Sequence, residues 1–405
     1  MVSQEREMKR QAKVESRDRQ EEADAEPVAE SSTSGAIRNR VSTFDLNGFE
    51  EISPPPGPTD STNSLSVPEA KEPEYQPMPL PAWYLKIRYM NLDMRKLGRR
   101  IPSEQNQALV ALNSMKTCLD RCEKGGTTAE LTNLFEELRD KVHKAEILLK
   151  VNCFIVRKTK MLDENIGLPR IFASKSNKVE FPWDLKADAY QLYNRWREEI
   201  FEHDLLRGIT ARRGIDRTTD SIEPSWKGRF SAKFYGEGPL VLGQWWPTQL
   251  TTVRDGAHGS VQGGIFGEKE KGAYSVVLSG AGRTLYDDKD DGDEIWYSGT
   301  DGKDFTPTEN TLRLIETCDI LHNQVRVFRS HQLHKNNPYR PVAGLRYDGL
   351  YEVVEKKLVD REKQGYKFRL VRCKGQCPIR CGDNAAARPT RFEIDEDARL
   401  RKSGR

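Results

Sequence analysis

Three groups of residues in this chain have types and spacings suited to chemistry. The first is Cys373, Cys377 and Cys381, each four residues after the last. Three thiols could supply part of a zinc site, but a fourth ligand is needed and no histidine lies close by in sequence; the spacing is not CxxC either. No metal and no cofactor are expected. The second is the acidic run Asp287 to Glu294. Read as a calcium loop with glycine at position six, it starts at Asp287, which puts Lys289 at position three and Ser298 at position twelve. Neither supplies a carboxylate, so an EF-hand is excluded. The third is a basic stretch containing Arg326, Arg329, His331, His334, Lys335 and Arg340, a pattern suited to phosphates. Among these, Arg326, Arg329, His331, Lys335 and Arg340 are the candidate phosphate contacts. His258, His322, His331 and His334 sit in no nucleophile or metal motif. There is no GxxxxGK[ST] loop and no HxE with PCxxC pair. No nuclease motif, RING or pre-SET cysteine cluster is visible, and the chain ends too soon after this region for a SET methyltransferase. No enzymatic activity is expected.

The elements that carry these residues fall into zones. Residues 1–80 are rich in Glu, Ser, Pro and Arg, without sustained period, and are expected to be a disordered tail. Phe44, Leu46 and Phe49 make a weak apolar patch in it. Residues 82–210 turn helical. Thr127 and Glu130 form a capping box, followed by the stripe Leu131, Leu134, Phe135, Leu138, Val142, Ala145 and Leu149. Gly125-Gly126 ends a preceding helix with Leu109, Leu112, Met115 and Leu119 on one side. A third helix is expected from Leu185 to Leu206, with Tyr190, Tyr193 and Trp196. Short connections between such stripes predict an antiparallel bundle. Cys118 and Cys122 lie one helical turn apart. Residues 211–233 read as a basic linker, and 381–405 as a C-terminal tail.

From residue 234 short β runs alternate with turns such as Asp255-Gly256 and Asp301-Gly302. The runs are Pro239 to Leu242, Ala273 to Leu278, Glu294 to Tyr297, Gln324 to Phe328, Gly349 to Val354 and Tyr366 to Val371. One helix, Thr308 to His322, interrupts them. The class is α+β: tail, helical bundle, then a curved sheet or barrel with flanking helices.

Net charge is only +3, from 65 basic and 62 acidic residues, so any nucleic-acid surface must come from local clustering. No apolar run approaches the roughly 18–20 residues needed to span a bilayer, and no membrane partner is expected. The N-terminus lacks the apolar core of a signal peptide. The basic run Arg95 to Arg100 fits a nuclear-import signal.

Several blocks then follow in a characteristic order: Gly243-Gln244-Trp245-Trp246, Gly256-Ala257-His258-Gly259, Gly264-Ile265-Phe266-Gly267, Gly272 to Gly280, Asp287-Asp288, Tyr297-Ser298-Gly299, Val325 to Ser330, and Arg346-Tyr347-Asp348-Gly349-Leu350-Tyr351. The set resembles the SRA domain (SET- and RING-associated, or YDG) over 234–380, well under half the chain. The resemblance implies a crescent-shaped barrel that binds duplex DNA containing 5-methylcytosine and holds the modified base flipped out. On that likeness Tyr286 and Tyr297 are the stacking rings and Asp288 accepts from the cytosine amino group. Ser298 and Gly299 line the wall beside the methyl group, and Gln262 fills the gap left in the duplex. An insertion at Gly282 to Leu285 precedes Tyr286. A basic Asn-Lys-Arg finger found in some members is absent; the corresponding stretch is Pro307 to Thr311. Hemimethylated and fully methylated sites therefore both stay open. Arg346, Tyr347, Asp348 and Gly349 are expected to be structural, with Tyr347 packed and Asp348 capping a turn. The resemblance implies a nuclear protein linking DNA methylation to chromatin. The alternative is an interaction scaffold whose helical region binds chromatin proteins and whose SRA-like part has lost selectivity.

Overall fold

The computed structural model describes residues 74–86, 103–173, 179–201, 204–213, 218–280 and 288–402. The expected disordered tail up to residue 73, Phe44, Leu46 and Phe49 within it, the basic run Arg95 to Arg100 and Tyr286 all lie outside the described residues. The described residues belong to the unit Ser66–Arg405.

The helical part contains α1 (Ala82–Leu85), α2 (Ser103–Glu123), α3 (Thr128–Ile147), α4 (Cys153–Lys158), α5 (Pro169–Phe172) and α6 (Trp183–Arg197). The capping box forms as the sequence predicts. The Glu130 amide donates to Thr127 Oγ1 at 3.3 Å, and the Thr127 amide donates to Glu130 Oε2 at 2.8 Å. Leu112, Met115 and Leu119 of α2 meet Leu138 and Val142 of α3 and Leu185, Leu192 and Trp196 of α6 in one core. Cys118 and Cys122 belong to that core. The third helix ends at Arg197, short of the expected Leu206, and Glu199 just beyond it turns left-handed (φ 58°). Among the described residues no helix is long and apolar enough to cross a membrane.

The expected linker is partly a hairpin, β1 (Ile209–Arg213) against β2 (Thr218–Ile222). Beyond it come β3 (Trp245–Trp246), α7 (Gln249–Arg254), β4 (Ile265–Glu268), β5 (Gly272–Leu278), β6 (Lys289–Asp290) and β7 (Glu294–Ser298). They are followed by α8 (Glu309–Glu316), β8 (Val325–Ser330), β9 (Leu345–Asp360), β10 (Gly365–Arg372) and α9 (Arg391–Lys402). Strands β3 to β10 form one sheet in the order β4-β5-β8-β9-β10-β7-β6, with β3 on the end of β9. Pairing is antiparallel except for β5 with β8. Among the described residues no pairing joins β4 to β6. Among the described residues the sheet does not close, so the expected curved barrel is not confirmed; the content is mixed α/β, with α8 against β4 and β5.

Local differences have local causes. Pro239 to Leu242 is a turn, although Leu240, Val241 and Leu242 are buried. The helix from Thr308 loosens into a π-helical turn at Thr317–Leu321. There the Thr317 hydroxyl donates to Arg313 O at 3.0 Å and accepts from the Ala273 amide at 2.8 Å, which ties the helix to β5 and disturbs its own ladder.

The expected C-terminal tail is not a tail. Helix α9 packs on α3, and its Phe392 and Leu400 join Ile147, Leu205 and Trp245 in a small core. Ahead of it, Arg380 Nη2 lies 2.9 Å and Arg388 Nη2 2.8 Å from the Asp188 carboxylate of α6. His143 Nε2 of α3 completes the set at 2.7 Å. All but His143 of these four side chains are wholly buried. Burial alone would raise the Asp188 carboxyl, but Arg380 and Arg388 hold it well below the usual range.

Candidate nucleic-acid interface

Asp288 stands immediately before β6, half-buried. Its Oδ1 accepts the Ser298 amide at 2.8 Å. Burial raises the Asp288 carboxyl above the usual carboxylate range, opposed by hydrogen bonds from Ser298 and by the charge of Lys367. This leaves an acceptor group fixed in a poorly solvated position, which suits pairing with a donor that water would otherwise satisfy.

Tyr297, one residue before, is 6% exposed and packs in the sheet core opposite Phe368 of β10. Burial, and then the negative charge of Asp288, pushes its phenol upward, so the ring stays neutral. Gly264 approaches it so closely that a Cβ there would stand 2.5 Å from the Tyr297 hydroxyl. Gly299 follows, with its amide on Tyr366 O at 2.8 Å and the Thr311 side chain beside it. Asp288, Tyr297, Ser298 and Gly299 are thus brought together by the β6–β7 pairing.

Gln262 sits with Val261 at the exposed crest of the 258–264 loop. That loop is braced from below. Gln249 Nε2 donates to Ser260 O and Gly263 O, both at 2.9 Å. The Gly263 amide donates to Ser260 Oγ at 2.8 Å. His258, wholly buried, bridges Ser275 Oγ at 2.8 Å and Gly263 O at 3.0 Å.

Burial pushes His258 from 6.5 down to about 4. The unfolded chain takes up this proton near pH 6.5 and the native chain only near 4, so stability is full above that window and falls as pH drops through it. The loss is expected to approach about 3 kcal/mol near pH 4. Urea midpoints at pH 7.5 and 5 for wild type and His258→Asn measure it. An equal pH slope in both proteins would refute the assignment.

The basic candidates divide. Arg326 and Arg329 are wholly buried and face inward, so neither can touch a phosphate. Arg326 Nη2 donates to Ala232 O at 2.7 Å and its guanidinium lies over the Phe234 ring. Arg329 donates to Asp290 Oδ1 at 2.7 Å and Oδ2 at 2.8 Å, to Gly292 O at 2.8 Å, and to Asp348 Oδ2 at 3.0 Å. Strand β8 is buried along its whole length, and charge in the sequence does not reveal that. His331 and Arg340 are half-buried and joined, Arg340 Nε donating to His331 O at 2.6 Å. Lys335 is exposed.

Arg346, Tyr347, Asp348 and Gly349 lie inside β9. Tyr347 is packed against Phe328, as expected. Asp348 caps no turn. It takes Arg346 Nε at 2.6 Å and Nη2 at 2.9 Å besides Arg329. The chain Arg346–Asp348–Arg329–Asp290 therefore runs from this motif to β6, the strand that directly follows Asp288. Burial would raise the Asp290 carboxyl, but Arg329 and Asn337 hold it low. Asp290 was missed in the sequence, where its one signal is the two-residue offset from Asp288 on an extended strand.

The three C-terminal cysteines are in no disulfide, and burial pushes Cys373 up to about 11. Among the described residues no three His, Cys, Asp or Glu side chains gather into a metal set. A cavity of about 500 Å³ lies between α6 and the Trp245-Trp246 strand, apart from Asp288 and Tyr297.

The E3 ubiquitin-protein ligase UHRF1 of Danio rerio is 32% identical over 160 residues, 33% of this chain and 20% of the relative. A UHRF1-like protein of Cryptococcus neoformans is 33% identical over 144 residues, 31% of this chain and 40% of the relative. The match thus spans well under half the length of these relatives. Among solved structures, a SUVH5 SRA complex with hemimethylated CG DNA is 29% identical, covering 36% of this chain and 99% of that one, with a TM-score of 0.30. The family model described as the SAD/SRA domain matches residues 236–376, and the chain therefore carries an SRA domain over that span.

Proposed function

We propose that the SRA domain binds duplex DNA containing 5-methylcytosine and holds the modified base extruded between Tyr286 and Tyr297. Asp288 accepts from the cytosine amino group, Ser298 and Gly299 border the methyl group, and Gln262 enters the gap left in the duplex. One observation carries the reading: a half-buried carboxylate, held by the Ser298 amide at 2.8 Å, beside the buried ring of Tyr297. Extrusion costs a few kcal/mol of stacking and pairing, and such a pocket must return it through ring contact and a bond to the base edge. An acidic side chain is suited to the cytosine amino group. The protein is a nuclear reader in this view, with no catalytic step. The helical layer braces the domain through α6 and α9, a supporting role that its buried ion pairs favour over that of an independent scaffold.

Fluorescence anisotropy with a duplex carrying one central methylated CpG tests this. Wild type is expected to prefer it to the unmethylated duplex by tenfold or more, about 1.4 kcal/mol. Asp288→Ala is expected to equalise the two. Equal wild-type affinities, or unaltered preference in the variant, would sink the proposal. Hemimethylated and fully methylated duplexes in the same assay decide which site is favoured.

A further inference from the structure

Arg326, expected from the sequence to touch phosphate, instead holds the stretch of chain that leads into the SRA domain. Its Nη2 donates to Ala232 O at 2.7 Å and its Nη1 to Gly236 O at 3.2 Å. The same stretch is pinned at two further points. The Phe230 amide donates to Arg254 O, at the end of α7, at 3.1 Å. Upstream, the Trp226 ring lies against Gly208, where a Cβ would stand 2.4 Å from it. Residues 226–232 are thus a fixed rail, and they precede the family match, which begins at 236. The rail carries Lys227 and Arg229, both exposed. Neither has an acidic partner among the described residues. Carboxylates on the elements beside it are already engaged: Asp255 with Arg207 at 3.1 Å and Arg254 at 2.7 Å, and Glu268 with Lys233. Between residues 223 and 233 there are three cations and one carboxylate, Glu223, a local charge of +2 in a chain whose total is +3.

The place of this charge points to its partner. A cleft of about 390 Å³ is lined by Arg229, Ser231 and Lys233 of this stretch and by Gly259 and Phe266. Gly256 stands so close that a Cβ there would meet Phe230 Cβ at 2.8 Å. The rail therefore lies along the entry of the loop whose exposed crest holds Gln262, three residues past Gly259. Three residues of chain reach about 11 Å at most. A loop tip that enters either groove of a duplex, about 6 or 12 Å wide, passes between two lines of phosphates. We propose that Lys227 and Arg229 contact backbone phosphates beside the point where Gln262 enters the duplex, so that the DNA-binding surface extends beyond the N-terminal limit of the family match. Such contacts hold and orient the duplex and carry no information about the base. The proposal rests on the reading of the domain as a DNA binder and of the 258–264 loop as its entry into the duplex. It does not depend on methyl selectivity.

The test measures anisotropy of the full chain on methylated and unmethylated duplexes over a series of salt concentrations. Each phosphate contact adds about 0.9 to the slope of log affinity against log salt. Lys227→Gln with Arg229→Gln is expected to make that slope shallower by about 1.8 on both duplexes and to weaken both by about tenfold or more. The ratio between the duplexes should stay at the wild-type value. Lys227→Arg with Arg229→Lys keeps the charge and should keep the slope. Lys124→Gln with Lys158→Gln makes the same change of charge on exposed side chains of the helical part and should leave the slope alone. An unchanged slope in the first double variant overturns the proposal. So does an equal change in the helical pair, which describes bulk charge, or an effect confined to the methylated duplex, which describes base capture. A wild-type ratio of one with the slope effect intact overturns base extrusion alone, and a wild type that binds neither duplex overturns both. Equal thermal midpoints of variants and wild type establish that folding is not the cause.

Discussion

Replacing Asp188 with alanine is expected to destabilise the protein by about 3–5 kcal/mol, the range for removing one partner of a buried ion pair. The substitution leaves Arg380 and Arg388, both wholly buried, without their shared carboxylate. Neither can shed its charge, because a guanidinium stays protonated. Against a total of about 5–15 kcal/mol for a domain, such a loss brings the chain close to unfolding. Asp188→Asn keeps the volume and tests the charge alone, with most of the same penalty expected. The carboxyl's depressed pKa gives the sign with pH: its contribution is complete above the ordinary value of 3.8 and is lost as pH falls below it. Urea unfolding at pH 7 measures the difference. A change under about 1 kcal/mol would mean that water or neighbouring Glu146 and Glu393 compensate the arginines.

Gly264→Ala is expected to remove methyl discrimination while leaving the fold standing. The added methyl would lie 2.5 Å from the Tyr297 hydroxyl and 3.3 Å from Val277 O. One of these must move, and Val277 is a buried strand residue paired to β8. Tyr297 is the part that yields, and its ring swings away from the place a base would occupy. Loss of one stacking face forfeits about 1–3 kcal/mol, a five- to hundredfold fall in preference for the methylated duplex. Anisotropy reads the preference and thermal unfolding reads the fold. Retained preference would show that the position of Tyr297 does not govern base capture.

Much of this was legible in the residues. The Thr127–Glu130 box and the stripes on either side of Gly125 are local signals, satisfied within a few residues, and they form as spaced. The same holds for the strands at Ala273 to Leu278 and Tyr366 to Val371. The block order identified the domain without knowledge of its shape. What escaped depended on partners remote in sequence. Arg329 reads as a surface cation until Asp290 and Asp348, 39 and 19 residues away, are seen beside it. Arg388 reads as part of a tail until it meets Asp188, 200 residues earlier. Strand β9 runs from Leu345 to Asp360 although only its middle looks like a strand, because its far end is charged and stabilised by pairing with β10. Periodicity reports which face is apolar; it does not report which charges will find each other.

The join between α6 and the segment after β10 also bears on where this protein can be divided. The family match stops at residue 376, ahead of Arg380, Arg388 and α9. A fragment cut at those limits would leave Trp245 without Leu205, Phe392 and Leu400, its companions in the small core. The boundary that marks common ancestry is not the boundary of mechanical independence. In this chain the SRA domain is not a portable cassette: moved to another protein, it would need the helices on both sides to travel with it.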